Sequence, residues 1–345
     1  MDDIRKPGID VLRVVSMLMV VILHVNMRGG ILNNTTDINH EVSLLIEAFS
    51  LCAVNVFAML SVFLNCGKPL KYKKIIFLWR DIVIYSIVIL MVFLIIDRDI
   101  VGCEELLNAF FPILTGAYWY YSSYMIMVIT IPCLNAGIES LSKNTCKMCI
   151  LLMVCLLSVS SFVGDIDAFV INKGYSPLWL MTMYLIGAYY RRYGFPIKHK
   201  VLTGILIYAS GSGATWLSHY IIRSVLTRLI VSSRGDELML YSYTSPMIVI
   251  AALGLLIAFS SITITKGIDV FKAIAPLCTS VYIIHMNPLV KEYFLSDRFA
   301  VFASYSVFGM LSAMLGVSLL IMVICLFIDY LRRKIFSFCV CFKRI

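Results

Sequence analysis

Arg13 and His24 stand in an otherwise apolar stretch near the start of the chain, separated by eleven positions. On a helix that separation is about three turns, roughly 16 Å along the axis and only ~20° in azimuth, so the two side chains share one face. Arginine offers phosphate a planar, permanently charged donor fork, and histidine takes a proton from a hydroxyl near neutral pH. The pair suits a long anionic ligand gripped at one end and reacting at the other, which is the shape of an acyl-CoA. The competing reading has Arg13 snorkelling to lipid headgroups and His24 bonding to a neighbouring helix. A second histidine, His285, closes the run Ser280-Val281-Tyr282-Ile283-Ile284-His285, where Tyr282 lies one turn earlier on the same face. Two histidines at comparable depth suggest a shared site; the plainer reading places His285 at the outer interface.

The elements that must position these residues follow from composition. Of 345 residues, 61% are hydrophobic and only 14% charged, with a mean hydropathy of +0.92, which excludes a water-soluble enzyme. A helix needs about 20 mostly apolar residues to cross roughly 30 Å of hydrocarbon. Ten such runs are predicted, at residues 9–27, 43–64, 78–96, 118–137, 148–163, 177–190, 201–222, 246–265, 271–289 and 300–329. The expectation is a single all-α, polytopic transmembrane domain over residues 1–345.

The net charge of +9 would suit nucleic acid as well as an anionic membrane surface, but the charges sit between the apolar runs, so lipid is the expected partner and nucleic acid is not. Cytoplasmic loops are enriched in Lys and Arg. With both termini inside, 20 of these residues fall in inner segments and 8 in outer ones. By this orientation Arg13 lies near the cytoplasmic rim, and His24 and His285 lie toward the outer half. The first run holds Arg13 and is followed by no small-residue cleavage site, so it reads as a retained span.

The remaining features are weaker. The 11 cysteines are scattered, and Cys146-x-x-Cys149 has no second pair to complete a metal site, so no metal is expected. Ser210-Gly211-Ser212-Gly213 reads as close helix packing. His40, His199 and His219 fall in loops or at span ends, where solvation is expected. No nucleophile elbow, P-loop or zinc-protease motif occurs. The longest loops, 28–42, 97–117 and 223–245, are external and suited to cap an outward cavity. In the last of them Tyr241 and Tyr243 are placed either to stack on a sugar or to anchor the interface.

The segment Ile9-Asp10-Val11-Leu12-Arg13, followed after ten residues by His24, resembles the opening signature of the membrane-bound acyltransferase 3 family. Tyr118-Trp119-Tyr120-Tyr121 with Pro132, and Val281-Tyr282-Ile283-Ile284-His285, resemble later family motifs. Phe57-Ala58-Met59-Leu60-Ser61-Val62 resembles another loosely, with Val62 where the family has Gly. A paired-Arg motif is reduced to Arg80, with Val83 in the second place.

The resemblance implies a ten-helix O-acyltransferase that moves an acyl group, usually acetyl from acetyl-CoA, to a hydroxyl of a glycan or lipid-linked glycan. Carried over by position, His24 is the catalytic residue, as base toward the acceptor hydroxyl or as carrier of the acyl group, with His285 second, and Arg13 and Arg80 engage the donor. Tyr282, Trp119 and Tyr243 are the candidate acceptor contacts. A bacterial plasma membrane and glycan-assembly enzymes as partners complete the expectation. The reading from a different class is a transporter or flippase of a polar lipid-linked substrate; it lacks the inverted repeat and matching broken spans that many carriers show.

Overall fold

The computed structural model describes residues 6–65, 72–162, 167–229, 238–263 and 267–342. The basic residues Arg5, Lys68, Lys71, Arg234, Lys266, Lys343 and Arg344, and Cys66, lie outside the described residues. Twelve helices carry the fold: α1 (Pro7–Leu23), α2 (Asp37–Ser50), α3 (Ala53–Asn65), α4 (Tyr72–Ile96), α5 (Trp119–Ser140), α6 (Lys143–Ser160), α7 (Pro177–Tyr193), α8 (Lys200–Leu229), α9 (Pro246–Ser261), α10 (Ile268–Ile274), α11 (Cys278–His285) and α12 (Val307–Phe342). There is no strand among the described residues. The chain is an all-α, polytopic membrane protein; among the described residues seven helical stretches, against ten predicted spans, are long and apolar enough to cross a bilayer.

Every predicted span falls on a helix, and the differences have local causes. The second span is α2 and α3 in series, broken at Leu51 and Cys52. The ninth is α10 and α11 joined by the 3-10 turn Ala275–Leu277, where Pro276 cannot supply an amide to the ladder. The tenth starts later than residue 300: Ala300–Ser304 forms a separate 3-10 turn, Tyr305 is extended, and Ser306 caps α12 by accepting from the Gly309 amide at 3.2 Å. Helix starts elsewhere use the same chemistry. Ser142 opens α6 by accepting from the Thr145 amide, and Ser176 with Pro177 opens α7 by accepting from the Trp179 amide.

The chain packs as two compact units. The first comprises Met1–Leu12, Leu44–Ile76 and Trp119–Thr263; the second comprises Arg13–Ser43, Phe77–Tyr118 and Ile264–Ile345. Within the first, α8 and α9 meet through small residues. A Cβ on Gly204 would come within 2.6 Å of the α9 backbone, and one on Gly254 within 2.6 Å of the Tyr208 amide, so only glycine permits this approach. Gly211 likewise lies against the Met247 carbonyl, as expected for the Ser-Gly-Ser-Gly run. His219 departs from expectation: it is buried, its Nδ1 bonds to the Trp216 carbonyl, and its ring lies 3.9 Å from that of Tyr220.

Within the second unit, Leu90 and Phe93 of α4 form an apolar core with Ala109 and Leu289. The Asn26 and Ser43 side chains are buried and bond reciprocally: the Ser43 hydroxyl donates to Asn26 Oδ1 at 2.6 Å, and the Asn26 amide donates to the Ser43 carbonyl at 3.2 Å.

Candidate active site

Apart from the aromatic candidates Trp119 and Tyr243, the candidate site residues belong to the second unit. His24 opens a π-helical turn, His24–Arg28, that continues α1; the Gly29 amide closes it on the His24 carbonyl at 2.9 Å. Such turns often mark functional sites. The His24 ring is half-buried, whereas His285, at the end of α11, is only 4% exposed. The two imidazoles meet, with His24 Nδ1 and His285 Nε2 2.9 Å apart.

The other nitrogen of His285 decides the polarity of that contact. His285 Nδ1 lies 2.6 Å from the Val281 carbonyl, one turn back on α11. A carbonyl only accepts, so Nδ1 carries the proton. With both rings neutral, His285 Nε2 is then the acceptor, and His24 Nδ1 donates to it. The remaining nitrogen, His24 Nε2, is left with its lone pair. A backbone carbonyl thus fixes one ring, which fixes the other.

Tyr282 completes the cluster, its ring centroid 6.3 Å from that of His24 and 6.0 Å from that of His285. Tyr118 lies 6.3 Å beyond Tyr282. Its phenol oxygen accepts from the Asn287 amide at 2.9 Å and is 3.3 Å from the Ser86 hydroxyl. Sequence reasoning missed this part; the only signal was a polar residue, Asn287, two positions past His285.

Arg13 lies on α1, eleven positions before His24, and His24 reaches His285 at the end of α11. Arg13 is half-buried, and a partly desolvated guanidinium suits an anionic ligand.

Arg80 lies in a different cluster of the same unit. It pairs with Asp81 at 2.7 Å, and Asp81 is also 3.3 Å from Arg332 on α12. Behind them Asp329, fully buried, accepts from the Tyr85 phenol at 2.7 Å, from Arg332 Nε at 2.9 Å and from Arg333 Nε at 2.9 Å. This carboxylate is satisfied on both oxygens and ties α12 to α4. Its signal in the sequence was an aspartate in an apolar run followed at three and four positions by arginine.

Trp119 and Tyr243 belong to the first unit, where their rings stack at 5.9 Å and 23°. Among the described residues no group of three or more His, Cys, Asp or Glu side chains could hold a metal ion.

The acyltransferase 3 family model, an acyltransferase domain, matches residues 6–330. The chain belongs to the acyltransferase 3 family. No curated protein and no solved structure matches it. The helices and the family together describe a multi-pass membrane acyltransferase. In this acyltransferase the histidine pair and Tyr282 gather in the second unit, Arg80 lies in the Asp81–Arg332 cluster of that unit, and Trp119 and Tyr243 stack on one another in the first.

Proposed function

We propose that this acyltransferase is an O-acyltransferase of the bacterial plasma membrane that moves an acyl group, acetyl in the simplest case, from cytoplasmic acyl-CoA to a hydroxyl of a cell-surface glycan or its lipid-linked precursor. The observation that carries the reading is the histidine pair. His24 Nε2 holds a lone pair on a half-buried ring, backed by a hydrogen bond from its own Nδ1 to His285. His24 takes the proton from the acceptor hydroxyl as its oxygen attacks the thioester carbonyl. When the tetrahedral intermediate collapses, the same imidazolium returns the proton to the departing thiolate. His285 acts through His24, holding its tautomer and accepting from Nδ1–H as charge develops on the ring.

Arg13 holds the donor's phosphates; a half-buried guanidinium on the helix that carries His24 supports that role. Arg80 is a second donor contact, half-exposed beside Asp81. Tyr282 lines the acceptor side of the histidines.

The test uses the full chain purified in lipid nanodiscs, with thiol release from acetyl-CoA and ester formation on surface glycan as readouts. His24→Ala is expected to lower transfer by about 10²–10⁴-fold while the protein inserts and folds. Near-normal turnover in that variant removes His24 from the mechanism. Substrate movement that requires a sealed vesicle and releases no thiol replaces the enzyme with a carrier.

A further inference from the structure

The first unit brings together three aromatic rings from the starts of three helices. Trp119 opens α5, Tyr175 precedes α7 by two residues and Tyr243 precedes α9 by three. The Tyr175 ring lies 4.3 Å from Trp119 and 5.1 Å from Tyr243, and the latter two stack at 5.9 Å. Tyr175 is outermost at 41% exposure, Trp119 is half-buried and Tyr243 lies beneath at 8%. By the charge asymmetry of the loops, all three helix starts face outward.

An interfacial tyrosine that merely anchors a span needs no special backbone. Here the backbone is held at both tyrosines. The Ser123 hydroxyl donates to the Tyr175 carbonyl at 3.2 Å, and the Asn55 amide donates to the Tyr243 carbonyl at 2.9 Å. Asn55 is itself fixed by the Trp179 indole N–H at 3.0 Å, and the Ser242 hydroxyl donates to the Lys173 carbonyl at 3.1 Å. The segment that delivers Tyr175 is strained: Val170, Asn172 and Lys173 have φ of 51°, 47° and 52°. Left-handed backbone costs a non-glycine residue about 1–2 kcal/mol, and a β-branched valine is especially ill-suited to it. Asp167 steadies the turn by accepting from the Ile171 amide at 2.8 Å. Gly174, at φ 98°, has no substitute, since a Cβ there would sit 2.6 Å from that of Tyr243.

We propose that Tyr175, backed by Trp119 and Tyr243, is an acceptor platform on which a pyranose ring of the glycan stacks. The shape selects this ligand. Rings packed against one another enclose no void, so they do not form a cage for a quaternary ammonium. They offer one outer aromatic face, whose negative quadrupole suits the C–H-rich face of a sugar. The assignment rests on the reading of a glycan acceptor and names residues of the first unit for it.

The experiment measures ester content of surface glycan, by mass, from cells expressing the full chain. It also measures the acceptor concentration needed by purified protein, with the same polysaccharide stripped of its esters by mild base. Tyr175→Ala is expected to raise the half-saturating acceptor concentration at least tenfold, with the donor requirement changed far less. Tyr175→Phe, which keeps the ring, is expected to stay within about twofold of wild type. An unchanged acceptor requirement in Tyr175→Ala overturns the platform. So does a Phe variant as impaired as the Ala one, which would assign the effect to the phenol. Wild-type protein that leaves glycan unesterified, while transferring acyl groups elsewhere, fails the underlying reading as well.

Discussion

The two units of this acyltransferase solve the same problem, holding helices together in a membrane, by opposite means. The first brings backbones close. Gly204 and Gly254 let α8 and α9 touch, and its polar side chains are mostly phenols and hydroxyls bonded to neutral partners, as with Tyr184 to Asn135, Tyr190 to Ser260 and Tyr208 to the Phe49 carbonyl. The second joins its helices through titratable groups bonded to one another: Asp329 under three donors, and two histidines in contact. Burial alone is not the difference, since the first buries Asp10, Glu47 and His219. Charged side chains in apolar surroundings cost several kcal/mol and are rarely placed there without a function. The paired imidazoles, rather than burial as such, mark the second unit for the proposed chemistry.

The largest effect expected from breaking that contrast is at His285. His285→Ala should lower transfer by about 10²-fold or more, because His24 loses the acceptor that fixes its tautomer. His285→Gln, whose carbonyl oxygen can accept from His24 Nδ1, should recover part of it. Steady-state rates at saturating donor and acceptor check both, and an Ala variant as fast as wild type would show that the imidazole contact carries no function.

Next is Asp329→Ala, which strands Arg332 and Arg333 without their shared carboxylate. Removing one partner of a buried ion pair typically costs about 3–5 kcal/mol, so the thermal midpoint in nanodiscs should fall by many degrees. Gly254→Val tests the other unit: a Cβ 2.6 Å from the Tyr208 amide forces α8 and α9 apart and should cost about 1–3 kcal/mol. A glycine variant more damaging than the aspartate variant would invert the comparison.

The smallest effect concerns Lys6, just before α1. Its amine is held below the ordinary lysine value by burial, then by Lys200 and Arg191. A lysine whose folded value lies below its unfolded one destabilises while protonated, and the penalty fades as pH rises toward the ordinary value of 10.5. Lys6→Met should therefore raise the thermal midpoint slightly at pH 7, by no more than about 0.5 kcal/mol of stability for so solvent-accessible a site, and the gain should shrink in alkaline buffer. A gain that grows with pH would reverse the sign.

The helices were legible because hydropathy reports the solvent directly, and His24 stood out as a titratable residue in an apolar run. The late histidine could be suspected from its depth, yet the polarity of its contact depends on a carbonyl one turn back, which a sequence does not display. Partners remote along the chain stayed hidden: Asn287 with Tyr118, Asp81 with Arg332, Tyr175 with Trp119. His219 misled for a local reason, since its bond to the Trp216 carbonyl satisfies a ring nitrogen inside the helix and removes the need for water.

Gly29 gives the π turn a consequence of its own. A Cβ there would lie 2.2 Å from the Val25 carbonyl, so even alanine would pry open the wide loop that ends on the peptide of His24. The Gly29 carbonyl also accepts from the Phe299 amide at 2.9 Å, and that of Arg28 from Asp297 at 2.9 Å. The height of one imidazole is thus set by a missing methyl five residues downstream, riveted to the segment that leads into the last helix.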